Sequence, residues 1–241
     1  MRFKDKHFYS YISTISDGNI ALHIEIPGQN ALFNREKIAN KNGFSLLNLV
    51  GMKQTHSNHV KIVTSLDCGS GAKDFVSAIE DTDAMVTDEK NVVLSAQSAD
   101  CALILFIDPI RAVIAVAHAG WRGVVNEVII NTLKVMQDKF GSELGNIEIQ
   151  VAPNAMSCCY EVQKDVVEIF LQNFSTKTIV HCQDKYYLDL NQAIFEQLIN
   201  NRVNEAKITF SKVCTICNSN YYSFRRQKDL AGRIGAFIWM S

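Results

Sequence analysis

The chain has 241 residues, 47% of them hydrophobic, with 24 basic against 25 acidic side chains and a formal net charge of −1. That length buries a sizeable core, and without a basic excess there is no electrostatic footprint for a nucleic-acid partner. No apolar run reaches the roughly 18–20 residues that span a bilayer, residues 1–6 are polar rather than the start of a signal core, and seven cysteines is an odd number; a reduced, cytoplasmic protein with no membrane partner is expected.

Apolar runs of strand length recur at 20–26, 60–64, 84–87, 92–96, 102–107 and 112–117. The last two are nearly continuous and joined by Asp108-Pro109-Ile110-Arg111, which predicts a hairpin covered on both faces. After Gly123 the period turns helical: Val125, Val128, Ile129, Thr132, Leu133 and Met136 share one stripe, and Gly141 stops it. Residues 147–151 read as a strand, 161–174 and 189–203 as amphipathic helices, and 208–213 and 234–239 as late strands. Only three prolines occur, and no repeat or linker interrupts the chain. One domain over 1–241 is expected, of α+β class, because strands cluster early and helices late.

Three segments carry the chemistry: Gln54-Thr55-His56, Asp100-Cys101, and His118-Ala119-Gly120-Trp121-Arg122-Gly123. His56, Cys101 and His118 make a His/Cys/His set, and zinc takes three protein ligands where a fourth position stays open for water or substrate. The predicted hairpin sets the start of one strand beside the end of the next, so Cys101 and His118 are expected to be neighbours. His59 is a rival to His56 but sits before a strand, which makes it peripheral. The glycine-flanked turn leading into a helix from Val124 exposes N–H groups, and with the Arg122 guanidinium it reads as an anion site. Asp100 is expected to act either as a proton shuttle or as a partner orienting a histidine.

The other cysteines read as bystanders. Cys214-Thr215-Ile216-Cys217 is a C-x-x-C without a second one to partner it and without a thioredoxin-like β-α-β setting, and Cys158-Cys159 reads as packing. About one zinc per chain is therefore expected, at the three-ligand site alone. The H-x-E and P-C-x-x-C pattern of the zinc deaminases is absent.

The chain resembles the laccase-domain, or polyphenol-oxidase-like, family of bacterial cytosolic, FAMIN-related proteins. The likeness rests on Gln54-Thr55-His56, Thr82-Asp83-Ala84-Met85-Val86-Thr87, Ala99-Asp100-Cys101 with Asp108-Pro109, and residues 117–123. It continues through Cys159-Tyr160-Glu161-Val162, Cys214-Thr215, Ser223-Phe224-Arg225-Arg226 and Gly232-Arg233. Phe224 stands where the family has tyrosine, Ser57 where it has glycine, and its N-terminal glycine-rich stretch is faint in 17–30. The resemblance implies a four-layer α/β/β/α sandwich with mixed sheets and zinc on His56, Cys101 and His118, with copper as the alternative ion. It also implies substrate contacts from Gln54 and a phosphate-holding catalytic arginine at Arg35. The implied substrates are a purine nucleoside and inorganic phosphate: phosphorolysis of adenosine, inosine and methylthioadenosine, with adenosine deaminase activity, in a monomer. The competing expectations are a copper polyphenol oxidase, for which six histidines are few, and a metal-free hydrolase with Cys101 as nucleophile and His118 as base. A structural zinc module is a further alternative, but it needs a fourth protein ligand.

Overall fold

Two β-sheets lie face to face, with helices on both outer surfaces. A computed structural model describes residues 7–241; the polar run at 1–6 lies outside the described residues. In chain order the elements begin with β1 (Phe8–Ile12), α1 (Ala31–Asn42), β2 (Leu49–Val50), β3 (Val60–Ile62), β4 (Ala84–Thr87) and β5 (Val93–Ser98). Next come β6 (Ala102–Asp108), β7 (Val113–Ala119), α2 (Trp121–Val125), α3 (Val128–Phe140), β8 (Glu148–Val151), β9 (Glu161–Val162) and α4 (Lys164–Asn173). The chain ends with β10 (Ile179–Cys182), β11 (Lys185–Leu188), α5 (Leu190–Asn200), β12 (Ile208–Phe210), α6 (Phe224–Gln227) and β13 (Ile234–Met240).

Of the three sheets among the described residues, the two that stack have the orders β1-β13-β5-β2 and β12-β8-β6-β7-β4-β3 and mix parallel with antiparallel pairs, and the third is a small antiparallel sheet of order β10-β11-β9. Strand alternation decides what each face meets. Leu103, Leu105 and Ile107 of β6 point at Leu94, Ala96 and Ile238 of the other sheet, while Ile104 and Phe106 point at the helices. The stripe expected on α3 packs there: Val128, Ile129, Thr132, Leu133 and Met136 are its buried residues, and Gly141 closes it at φ 68°. On the opposite surface α1 sets Ile38 and Ala39 against Leu49, Val93 and Phe237. The result is the expected α/β/β/α order. Among the described residues no helix is long and apolar enough to cross a membrane.

Three expectations need correction. Residues 20–26 form no strand: the Asn19 side chain takes the N–H of Ala21 and donates to the carbonyls of Ala21 and Ile24, so local bonds replace a ladder. The expected helix 161–174 starts with a strand pair, Glu161 and Val162 against β11, and becomes helical at Lys164. The helix after Gly120 breaks at Glu127, where φ is 64°, and restarts as α3. The sequence pattern does not reveal α1, because Arg35 occupies the core-facing position one turn before Ile38 and Ala39 and hides the apolar stripe.

Candidate metal centre and its cavity

The chain crosses from one sheet to the other between β5 and β6, and Asp100 makes the crossing at φ 99°. A positive φ at a non-glycine residue is strained and persists only where its surroundings hold it. Here the surroundings are specific. The Asp100 carboxylate accepts from Thr215 Oγ1 at 2.7 Å, Ser223 Oγ at 3.0 Å and the Arg225 N–H at 2.7 Å. Its carbonyl accepts the Ala155 N–H at 2.8 Å. These bonds fix the residue that precedes Cys101.

The hairpin register pairs Ala102 with Ala119 and Leu103 with His118, so Cys101 meets the end of β7 as expected. His56 arrives from the loop between β2 and β3, in the left-handed region at φ 60°. One ligand atom each from His56, Cys101 and His118 lies within 4.8 Å of the others. The Cys101 Sγ to His56 Nε2 separation is 3.8 Å, near the roughly 3.5 Å edge that Zn–S and Zn–N bonds of about 2.3 and 2.0 Å make at a tetrahedral angle. Gly120 keeps the space open: a Cβ there would lie 2.7 Å from His56 Cδ2 and 2.9 Å from Cys101 Sγ.

Asp83, at the head of β4, organises both histidines. One carboxylate oxygen meets His118 Nδ1 at 2.7 Å, which leaves Nε2 for the cluster. The other accepts the N–H groups of Thr55 at 3.0 Å and Ser57 at 2.7 Å, the residues on either side of His56. A carboxylate behind a metal-ligating imidazole fixes its tautomer and orientation. The charges follow from this packing. Burial pushes the Cys101 thiol up, but His118 and then His56 bring it down to about 6. Burial opposes charge on His118, yet the Cys101 thiolate and Asp83 raise it to about 9. Burial likewise disfavours charge on Asp83, but His118 and the N–H groups of Ser57 and Thr55 bring its pKa down to about 2.

The cluster opens into a cavity of about 360 Å³, within the range of roughly 300–1,000 Å³ typical of small-ligand sites. His23 and Phe75 form one wall, with ring centroids 4.4 Å apart. Phe224 is at the rim, 46% exposed, and Arg233 brings a cation to the lining.

The structure therefore brings His56, Cys101 and His118 together, with Gln54 in the same cavity wall, and leaves His59 outside, paired to Asp81 at 2.9 Å. Gln54 spends its amide on the backbone of Gln97. Asp100 is buried behind the cluster, with both carboxylate oxygens engaged. Arg35 is buried outside the cavity lining, where it donates to the carbonyls of Ile20, Gly71 and Ala72, and burial lowers its pKa to about 10. Arg122 lies 4.2 Å over the Trp121 ring and does not line the cavity. Sequence reasoning gave no role to Asp83, Arg233, His23 or Phe75; the first two stood inside recognised motifs, whereas the last two depend on tertiary packing alone. The cysteines also depart from expectation. Cys158, Cys159, Cys214 and Cys217 gather with sulfurs within 4.8 Å of one another, so the C-x-x-C does have partners, and Cys158 is exposed rather than packed.

A family described as "Multi-copper polyphenol oxidoreductase laccase" matches residues 4–241. The chain is 33% identical over 226 residues to "Purine nucleoside phosphorylase YlmD" of Bacillus subtilis, covering 92% of this chain and 81% of that protein. It is 30% identical over 204 residues to "Adenosine deaminase RL5" from an unknown prokaryotic organism, covering 83% and 78%. Among solved structures it is similar to YlmD from Geobacillus stearothermophilus, with a TM-score of 0.91 and 28% identity over 98% of this chain and 92% of that one.

Proposed function

This chain belongs to the multi-copper polyphenol oxidoreductase laccase family, and from that premise we propose that it is a zinc-dependent purine nucleoside enzyme. It would phosphorolyse adenosine, inosine and methylthioadenosine and deaminate adenosine. The observation that carries this proposal is the three-ligand cluster opening on a cavity that also holds Arg233 and an aromatic wall. Relatives named as a phosphorylase and as a deaminase support it.

The donor set fits zinc: one thiolate and two imidazoles, one of them backed by a carboxylate, with no fourth protein ligand among the described residues. When bound, the ion supplies Lewis acidity toward an oxygen atom. The chain's own residues do the rest. His23 and Phe75 offer flat faces to a purine ring. Arg233 holds phosphate, the role expected of Arg35: both arginines donate to main-chain carbonyls, but Arg233 lines the cavity and Arg35 does not. In phosphorolysis a phosphate oxygen bonds to C1′ as the C1′–N9 bond breaks and the base leaves with a proton. In deamination water adds at C6 and ammonia departs. Asp100 acts as a positioning residue that fixes Cys101, since three donors occupy its carboxylate.

A second proposal has its own observation. Cys101, His118 and Asp83 form a thiolate, imidazolium and carboxylate series, the arrangement of a cysteine hydrolase. It leaves His56, 3.8 Å from the sulfur, without a task. A copper cluster has less support: among the described residues His59 pairs with Asp81 and His181 stacks on Tyr186, away from the centre.

Incubation of copper-free protein with adenosine tests the proposal. Adenine is expected only with phosphate present, and inosine with or without it. Zinc-loaded protein that releases neither would overturn it, and activity that survives zinc removal would favour the hydrolase.

A further inference from the structure

We propose that Cys158, Cys159, Cys214 and Cys217 form a second metal centre, a closed four-thiolate zinc site that staples two loops behind Cys101. It is independent of the nucleoside chemistry proposed above.

Geometry comes first. The four sulfurs lie within 4.8 Å of one another, and a tetrahedral zinc with bonds of about 2.3 Å has sulfur–sulfur edges of about 3.8 Å. Small inward movements complete the site. No two of the sulfurs are joined as a disulfide, and each lies within 4.8 Å of the other three. A closed set of this kind suits one ion better than two disulfides, which need each sulfur about 2.05 Å from a single partner. Cys158 and Cys217 are exposed while Cys214 is buried, so the ion has an entry path.

Four protein ligands leave no open position, which makes the site structural where the His56 centre is not. An all-thiolate set selects zinc over the harder divalent ions.

What it would hold is also visible. Cys214 bridges to Asn154, and the Thr215 N–H donates to the Asn154 carbonyl at 3.0 Å. Thr215 Oγ1 reaches Asp100, and so does the Ala155 N–H. Arg226 gathers the carbonyls of Thr215, Ile216 and Tyr221. Both stapled loops thus end on Asp100, the strained residue that sets Cys101. Neither loop is regular secondary structure, and a metal cross-link between segments distant in sequence removes much unfolded-chain entropy.

The test is zinc content after purification under reductant with no added metal. Wild type is expected to hold about two zinc ions per chain, and both Cys101→Ala and the double variant Cys214→Ser/Cys217→Ser about one. Because the double variant risks misfolding, X-ray absorption at the zinc edge of Cys101→Ala provides the second measurement, with an all-sulfur shell near 2.3 Å expected. Zinc in the double variant equal to wild type, zinc-free Cys101→Ala, or a shell containing nitrogen would each overturn the proposal. Cys101→Ala is expected to lose nucleoside turnover while keeping this zinc, so failure of the nucleoside proposal and failure of this one give different results.

Discussion

Asp83 and His118 stand 2.7 Å apart, carboxylate oxygen to Nδ1, and the same carboxylate clamps the loop that carries His56. One buried side chain thus aims two candidate ligands at a single point. Replacing it with the isosteric amide, Asp83→Asn, is expected to weaken zinc binding at this centre about 10- to 100-fold, read by competition with a chromophoric chelator. The pH dependence has a defined sign. Asp83 ionises at about 2 in the folded chain against about 3.9 unfolded, so its contribution is complete above the unfolded value and is lost as pH falls toward 2. Acid unfolding of metal-free wild type and Asp83→Asn should therefore converge at low pH. Equal zinc affinity in the two proteins would remove Asp83 from the centre.

In metal-free protein Cys101 is held as a thiolate above about 6 by His118 and His56, whereas an ordinary thiol ionises near 8.5. Its alkylation by iodoacetamide, followed by mass spectrometry of the Cys101 peptide, should rise through a midpoint near pH 6 and then plateau. Zinc should suppress it. A midpoint near 8.5 would show that the imidazole pair does not act on the sulfur.

Gly120 lies against the His56 and Cys101 side chains at once. Gly120→Ala puts a methyl group within 3 Å of both His56 and Cys101, at 2.7 and 2.9 Å. Loss of zinc at this centre is expected with an unchanged far-ultraviolet circular dichroism spectrum. Retained zinc would mean that the His56 loop can back away.

Two arginines separate binding from stability. Arg233→Gln is expected to raise the KM for phosphate about tenfold or more while changing deamination little. Arg35→Met leaves the carbonyls of Ile20, Gly71 and Ala72 without a donor and should cost about 2 kcal/mol or more in stability, read from denaturant midpoints. A reversed pattern, with Arg35 governing phosphate and Arg233 governing stability, would return the anion site to Arg35.

Short-range pattern was readable wherever local spacing and burial agree. The β6 and β7 runs are apolar throughout because both their faces are covered, so length and the intervening turn sufficed to find them. The stripe on α3 was equally plain. Pattern failed where a polar side chain does structural work: Arg35 masks α1, and Asn19 satisfies the backbone of a run that would otherwise read as a strand.

The same division governs the site. The candidate donor set could be read from residue types and spacing, because soft thiol and imidazole chemistry is a property of residue type, and a hairpin forces Cys101 and His118 together. The remaining contacts arise from long-range packing. It chose Arg233 over Arg35 for the cavity, joined Asp83 to two ligands, and drew Cys158 and Cys159 to the C-x-x-C. Those pairings depend on how two sheets stack and where their crossing loops meet, and no local period encodes a contact between segments so far apart along the chain.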